Sequence, residues 1–395
     1  MLDFLTPKPD AYAPYEYPNP AQALNTVNWD DLLDTLDAEK CVLFLGEGAY
    51  EAPGGGSIDK ALRQWLNADD PDHPQIRLYN DDGFLLFKKA RFKRQVTAQI
   101  REFYHQSFPE TEAVFSQIAA LPFSMILTLT CDNLLARTFD TLGYPYHWDF
   151  YFRKRKAADV FERPGKRKPL LYNLLGNIEE PESIVLAHGD FFDYLESVFK
   201  GNSMHPELRE ALESAERYIF LGLPYDKWYF QLLLRVFSLH SEKLKEVERM
   251  ALREFENPSL HTLYQEEFKI EFFPCDVRFF VGELHRRCAA AGILKPQSPP
   301  DLQWAALPDL SRSEFQKLIA DGHTPDALRH LQSFLERRKP RSLSLTNDLV
   351  VLRNRLNLLE QRQLRGTIYP QDANVENNQV VESALVLIER SLELQ

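Results

Sequence analysis

Short apolar runs alternate with amphipathic stretches along the first three quarters of the chain. Residues 41–45, 123–130, 217–224 and 269–274 are rich in apolar side chains and have the length of strands. Such runs are typical of strands that are buried on both faces of a parallel sheet. Stretches with helical periodicity follow each of them. The pattern therefore predicts an α/β fold with a Rossmann-like doubly wound parallel sheet.

The last quarter of the chain has a different pattern. Residues 295–309 carry four prolines, a composition that is typical of a linker. Beyond them no strand pattern is present, and Leu349, Leu352, Leu356 and Leu359 follow one another at spacings of 3, 4 and 3. This spacing is that of an apolar helix seam. The sequence predicts a small all-α helical bundle after the α/β domain.

These patterns divide the chain into four parts. Residues 1–28 are rich in Pro, Tyr and Asn, and we expect an extended arm because X-Pro steps oppose helix formation. Residues 29–294 form the predicted α/β domain, 295–309 the linker and 310–395 the helical domain. A proline-rich linker favours an independent helical module.

Composition excludes several classes of protein. The formal net charge is −12, which argues against a general nucleic-acid binder, since such a protein needs a large basic surface. No apolar run approaches the roughly 20 residues that span a bilayer, and the N-terminal residues lack the features of a signal peptide. The four cysteines form no C-x-x-C pair, so no zinc module is visible. We expect a cytoplasmic protein without a bound metal.

A glycine turn follows the first predicted strand. Gly46 and Gly48 flank Glu47 directly after the apolar run and before a helical stretch. Backbone N–H groups at such a turn can approach a phosphate. The alternative is a tight turn without a ligand, and Glu47 would repel a pyrophosphate. We take Gly46 and Gly48 as candidate nucleotide-binding residues.

Several segments together resemble a known family. VLFLGEGAY, ILTLTCDNLLA, LLYNLLGNIEEPESIVLAHGDFFDYLE and YIFLGLPYDKWYFQLLLR occur in this order. They resemble the sirtuin-like (SIR2-like) domains of bacterial defence and conflict proteins over residues 30–290. The resemblance implies an NAD-binding pocket, to which Thr128, Asp132, Gly176 and Gly222 would contribute beside Gly46 and Gly48.

Active members of that family look like NAD⁺ glycohydrolases, which use an Asn and a His at these segments. The sequence departs from the pattern at both positions, where Thr130 and Leu175 stand. A threonine hydroxyl lacks the paired donor and acceptor of an amide, and leucine cannot transfer a proton. The candidates for catalysis are then Asp132, Thr130 and His188. His188 resembles a sirtuin His-Gly-Asp histidine, but the alternative is a loop or helix-capping residue.

The C-terminal segment carries a second resemblance. EFQKLIADGHTPDALRHLQSFL and the residues from NDLVVLRNRL to the closing helix look like effector-associated domains of bacterial signalling proteins. These bundles are thought to act as homotypic adaptors, and the alternative is a stabilising helical cap. We expect a protein partner with a similar helical domain, and a homo-oligomer. We also expect Arg353, Arg355 and Arg362 to meet an acidic patch on the like domain.

Three functions from different classes follow. The first is a catalytically degenerate NAD- or nucleotide-binding component of a bacterial immune-type system, recruited through its helical domain. The second is a non-enzymatic oligomeric scaffold. The third is an active NAD⁺ glycohydrolase that uses substitutes such as Asp132 or His188. A zinc-dependent protein deacylase is disfavoured because the cysteine pairs of its zinc module are absent.

Overall fold

The computed structural model describes most of the two predicted domains. The described residues are 24–152, 164–199, 206–238, 247–253, 258–296, 309–338, 343–364 and 370–393. Most of the predicted arm and of the predicted linker lie outside these ranges. The division of the chain into four parts therefore stays a prediction.

A seven-stranded parallel sheet forms the centre of the first domain. Its strand order is β5-β6-β4-β1-β7-β8-β9, and every adjacent pair is parallel. An antiparallel hairpin of β2 and β3 lies outside this sheet. The predicted α/β class is confirmed. The strands are β1 (Cys41–Leu45), β2 (Ile76–Tyr79), β3 (Leu85–Phe87), β4 (Met125–Thr128), β5 (His147–Phe150), β6 (Leu170–Asn173), β7 (Arg217–Leu221), β8 (Glu248–Leu252) and β9 (Ile270–Phe273).

Helices cover both faces of the sheet and continue into the second domain. Side-chain caps begin several of them; for example, Ser57 accepts from the Lys60 amide, and Asp276 accepts from the amides of Arg278 and Phe279. The helices are α1 (Trp29–Asp37), α2 (Ile58–Trp65), α3 (Phe92–Tyr104), α4 (Pro109–Ala120), α5 (Leu134–Leu142), α6 (His188–Phe199), α7 (Pro206–Glu213), α8 (Trp228–Ser238), α9 (Pro258–Glu267), α10 (Val277–Ala291), α11 (Arg312–Ala320), α12 (Thr324–Glu336), α13 (Leu343–Leu364) and α14 (Pro370–Leu392).

Strand β1 shows why the sheet is covered on both sides. Leu43 and Leu45 pack into the core shared with α1, α4, α5 and α10, whereas Val42 and Phe44 pack into the core on the opposite face. Side chains of a strand alternate between the two faces of its sheet. A continuous apolar run therefore needs an apolar layer on each side.

The second domain is a bundle of α11, α12, α13 and α14 around its own core. Leu349, Leu352, Leu356 and Leu359 are all buried, so the predicted leucine seam is internal. Ser311 begins α11 with a capping box to Glu314. Among the helices of the described ranges, none is both long and apolar enough to cross a lipid bilayer.

Candidate functional site

The chain changes direction across the sheet between β1 and β7. From β1 the chain continues to the side of β4, and from β7 it continues to the side of β8. In open α/β sheets, ligands bind at the carboxyl ends of the strands where the order reverses in this way. A ligand site is therefore expected at the segments that follow β1 and β7.

The glycine turn after β1 packs directly on the turn after β7. The Gly46 amide donates to the Leu221 carbonyl and the Gly48 amide to the Gly222 carbonyl, each at 2.9 Å. A Cβ atom at Gly46 would lie 2.3 Å from the Gly222 oxygen, and one at Gly222 would lie 2.1 Å from the Ala49 nitrogen. The glycines allow this close approach of two backbones. Since the Gly46 and Gly48 amides already have acceptors, a phosphate here would need other donors.

The predicted residues Thr130 and Asp132 share a buried hydrogen-bond group with Tyr50. The Tyr50 hydroxyl donates to Asp132 Oδ2 at 2.8 Å and lies 2.7 Å from Thr130 Oγ1. Asp132 Oδ1 accepts from the amide of Leu134, the first residue of α5, at 2.8 Å. Asp132 is only 5% exposed. Both of its carboxylate oxygens therefore have partners inside the protein.

Burial changes the acid–base properties of this group. It raises the pKa of Asp132, although the hydrogen bonds from Leu134, Thr130 and Tyr50 act in the opposite direction. It also raises the pKa of Tyr50, and the neighbouring Asp132 carboxylate adds to the effect. Tyr50 was missed by the sequence analysis, although it lies in the quoted segment VLFLGEGAY.

Four further buried polar side chains lie in and around the segment after β4. Thr128 Oγ1 donates to the Thr130 carbonyl at 3.3 Å, and Asn173 Nδ2 donates to the Asp132 carbonyl at 2.8 Å. Asn133 Oδ1 accepts from Asn177 Nδ2 at 2.6 Å. Its own Nδ2 atom is buried and has no hydrogen-bond partner among the described residues. The Asn133 amide is thus a donor that a bound molecule could use, and it was not predicted from the sequence.

The loop after β6 contains Leu175 and Gly176. Leu175 is buried at the position where the resemblance implies a histidine. Gly176 has φ +91°, and a Cβ atom there would lie 2.2 Å from the Ser183 carbonyl oxygen. Gly176 is therefore required for the crossing of the segment that contains Ser183 and Ile184. A role in nucleotide binding stays a prediction for this residue.

His188 belongs to a different hydrogen-bonded group. Its Nε2 atom lies 2.8 Å from Asp82 Oδ2, which also accepts from Trp228 Nε1 at 2.8 Å. His188 is the first residue of α6, and its ring lies beside those of Phe84 and Trp228. The structure thus pairs His188 with the β2–β3 hairpin. This hairpin was not predicted from the sequence, although Asp82-Gly83 between apolar residues is a turn signal.

Acidic side chains gather beside the glycine turn. Burial raises the pKa of Glu47 to about 7, and the nearby Asp59 and Asp226 carboxylates contribute in the same direction. Lys227 and Arg253 lower the same pKa. The concern that Glu47 opposes a pyrophosphate is reduced, since a carboxyl with this pKa is only partly ionised near neutral pH.

Comparison with protein families assigns both domains. Residues 124–272 match the SIR2-like domain, and residues 311–391 match the effector-associated domain 11. The chain carries a SIR2-like domain and an effector-associated domain. The match to the SIR2-like domain begins at β4 and does not include the glycine turn. No curated protein matches the chain.

The effector-associated domain lies against the SIR2-like domain through α13. Val350 on α13 is buried in the core that contains α5. Arg353 Nη1 lies 3.4 Å from Asp140 Oδ1 on α5, and Arg355 Nη2 lies 3.9 Å from Glu180 Oε2. These acidic groups belong to the same chain, whereas the sequence predicted an acidic patch on a like domain, and that contact stays a prediction. The side chain of Arg362 lies outside the described residues.

The docked face of α13 reaches the segments that carry the site positions. Glu180 lies four residues after Gly176 in the loop after β6, and Asp140 lies on α5, which begins two residues after Asp132. Asp348 on α13 is close enough to Glu179 for the two carboxyls to interact electrostatically. Burial and this neighbour raise the pKa of Asp348. The effector-associated domain therefore contacts the SIR2-like domain beside its candidate site.

Proposed function

We propose that this protein is an NAD- or nucleotide-binding component of a bacterial immune-type signalling system. It is catalytically degenerate, because it lacks the Asn and His that active relatives use. Its effector-associated domain recruits it to a protein partner. The buried group of Tyr50, Thr130 and Asp132 is the observation that carries the proposal. It occupies the segment where an active relative would hold its catalytic amide.

Chemical reasoning supports the loss of hydrolysis. Cleavage of the nicotinamide–ribose bond needs a group that positions water and a group that handles a proton. Thr130 is hydrogen-bonded within the protein, and Leu175 has no titratable atom. Loss of a positioned acid–base group typically lowers a rate by ~10²–10⁴-fold.

The SIR2-like fold supports nucleotide binding, because SIR2-like domains generally bind NAD. The residues present fit the ligand at one point, because the buried Asn133 amide offers a hydrogen-bond donor. When bound, NAD⁺ would supply a ribose whose bond to nicotinamide is activated for cleavage.

The effector-associated domain supports recruitment by a partner. A domain of this type indicates a protein–protein interaction, and we expect a partner with a similar helical domain and association into a homo-oligomer. We place the protein in the cytoplasm. The scaffold hypothesis shares these features and differs in that no nucleotide binds.

A second candidate function is NAD⁺ hydrolysis through His188. The pair of His188 and Asp82 favours it, because a histidine held by a carboxylate is a common general base. In this version the chemistry would use a residue outside the family positions. His188→Gln would then abolish turnover, whereas Asp132→Asn would have a smaller effect.

Incubation of the purified full chain with NAD⁺, followed by chromatography of the products, tests the proposal. We expect no release of nicotinamide above the background of a heat-denatured sample. Calorimetry with NAD⁺ and ADP-ribose then separates nucleotide binding from the scaffold hypothesis. The matched control is His323→Gln, on the exposed side of the helical domain. If the original protein and this control hydrolyse NAD⁺ and His188→Gln does not, the second candidate is established instead.

A further inference from the structure

Helix α13 has two apolar faces, one for each domain. Leu349 and Leu352 pack in the core of the helical bundle, whereas Val350 packs in the core of the sheet domain with residues of α5. Among the residues that the structure describes, Val350 is the one buried side chain of the effector-associated domain in that core. A change at Val350 therefore affects the contact between the domains and leaves the core of the bundle intact.

The turn after Gly176 is the second element that α13 contacts. Arg355 on α13 lies 3.9 Å from Glu180 Oε2. Asn177 and Glu180 pair through their backbones, and the Glu179 amide donates to Asn177 Oδ1 at 2.7 Å. The contact with α13 thus falls on a turn whose conformation fixes the Asn177 side chain.

Asn177 connects this turn to the segment after β4. Its Nδ2 atom donates to Asn133 Oδ1 at 2.6 Å, and both side chains are buried. Because this bond engages Oδ1, the Asn133 amide presents Nδ2, which has no partner among the described residues. Asn133 also directly precedes α5, whose first residue Leu134 donates to Asp132 Oδ1. The two elements that α13 contacts therefore both hold the buried Asn133 donor in place.

Like charges face each other across the contact between the domains. Burial and the Glu179 carboxylate raise the pKa of Asp348 on α13. Arg390 pairs with Asp348 within the helical domain, and Arg101 and His105 lie beside Glu179 within the sheet domain. Each carboxylate thus has its cations on its own side, and the like-charge pair opposes docking. Domains joined by such a small and partly polar contact are expected to move relative to each other.

We propose that docking of the effector-associated domain and binding of a nucleotide at the candidate site favour each other, an inference that rests on the proposed function. The docked α13 holds α5 and the turn of residues 177–183, and these elements hold Asn133 ready to donate to the ligand. The ligand strengthens docking by the same factor, because coupling between two binding equilibria is reciprocal. Loss of the nucleotide then releases α13, and its face with Val350 and Arg355 becomes accessible to a protein partner.

Calorimetry of the full chain with ADP-ribose measures the coupling. Val350→Asp places a carboxylate in the apolar contact between the domains, and we expect it to weaken ADP-ribose binding about fivefold, the lower end of typical couplings between sites. The matched control Val386→Asp changes an exposed valine on α14 and should bind ADP-ribose as the original protein does. Circular dichroism of both variants shows whether they fold.

Arg355→Glu provides an independent variant, because the Arg355 side chain is exposed and its change should not disturb folding. It should weaken ADP-ribose binding by a smaller factor than Val350→Asp does, since it places two negative charges together at Glu180. Adding Glu180→Arg reverses the ion pair and should restore the affinity.

Deuterium exchange gives a readout that a purely structural role of Val350 would not change. Saturating ADP-ribose should slow the exchange of α13 amides about fivefold in the original protein and leave it unchanged in Val350→Asp. The inference is overturned, and the proposed function stands, if ADP-ribose binds without slowing this exchange. The same holds if Val350→Asp and Arg355→Glu both bind ADP-ribose as tightly as the original protein. Absence of binding by both ADP-ribose and NAD⁺ would refute the proposed function, and the inference with it.

Discussion

Replacement of Tyr50 by phenylalanine tests whether Asp132 is a structural carboxylate. The change keeps the ring, which packs edge-on against Phe115, and removes the hydroxyl that donates to Asp132 Oδ2. A hydrogen bond to a charged buried group contributes about 1.5–3 kcal/mol. For a domain of this size we expect the unfolding midpoint to fall by roughly 3–6 °C at neutral pH.

The loss of stability should depend on pH. Because burial raises the pKa of Asp132 in the folded protein, its ionisation disfavours folding. Its contribution is most favourable below the unfolded-state pKa of about 4 and is lost as the pH rises through the folded-state value. Tyr50→Phe removes a donor that lowers this pKa, so the folded-state value rises further. The difference between variant and original protein should therefore be larger at pH 8 than at pH 4.

Scanning calorimetry at both pH values measures the effect, with Tyr79→Phe as the matched control. The Tyr79 hydroxyl donates to Asp59 Oδ1 at 2.6 Å, but Asp59 is partly exposed, so water can replace the lost donor. We expect a smaller loss and a weaker pH dependence for this control. The structural role of Asp132 would be contradicted if Tyr50→Phe lowered the unfolding midpoint equally at pH 4 and pH 8. It would also be contradicted if this fall were no larger than the fall caused by Tyr79→Phe.

Two further substitutions test the glycine turn and the contact between the domains. Gly48→Val should lower the unfolding midpoint with or without nucleotide, because a Cβ atom there would lie 2.9 Å from the Gly222 Cα atom; Gly189→Ala, with open space around its Cα, should not. Unchanged stability of the Gly48→Val protein would contradict this prediction, because it would show that the turn can move away from Gly222. Arg353→Glu should place two negative charges together at Asp140 and increase the deuterium exchange of α5 amides, and adding Asp140→Arg should restore protection. Unchanged exchange in the single variant would argue against the docking of α13.

Several elements of the fold follow from the sequence alone. The apolar runs predict β1, β4, β7 and β9. Strands β1 and β4 are buried at every position, whereas β9, at the edge of the sheet, exposes Glu271. Neither β5 nor β8 was predicted from the sequence. Residues 248–252, ERMAL, consist largely of good helix formers. They form a strand because β7 and β9 lie on either side and supply the backbone partners, which is a tertiary effect.

In the candidate site, too, some features follow from the sequence and others depend on tertiary contacts. The segments resembling the SIR2-like family place Thr130, Asp132 and Leu175 near one another, and the family comparison confirms the resemblance. The sequence does not reveal that the Tyr50 hydroxyl donates a hydrogen bond to the Asp132 carboxylate. Nor does it pair His188 with Asp82, since 106 residues separate them. Hydrogen bonds between distant segments depend on how the loops pack at the edge of the sheet.

The amino-acid sequence by itself determines the two-domain composition, the parallel sheet and the leucine seam of the helical bundle. Each of these rests on periodicity, a local property of the chain that burial of apolar side chains converts into structure. Only the tertiary structure decides which contacts the predicted site residues make. It brings Gly46 and Gly222 into contact, so their small size meets a packing requirement. It also directs Arg353 to Asp140 within the chain, because the docking of two folded surfaces depends on shape and charge that no single segment contains.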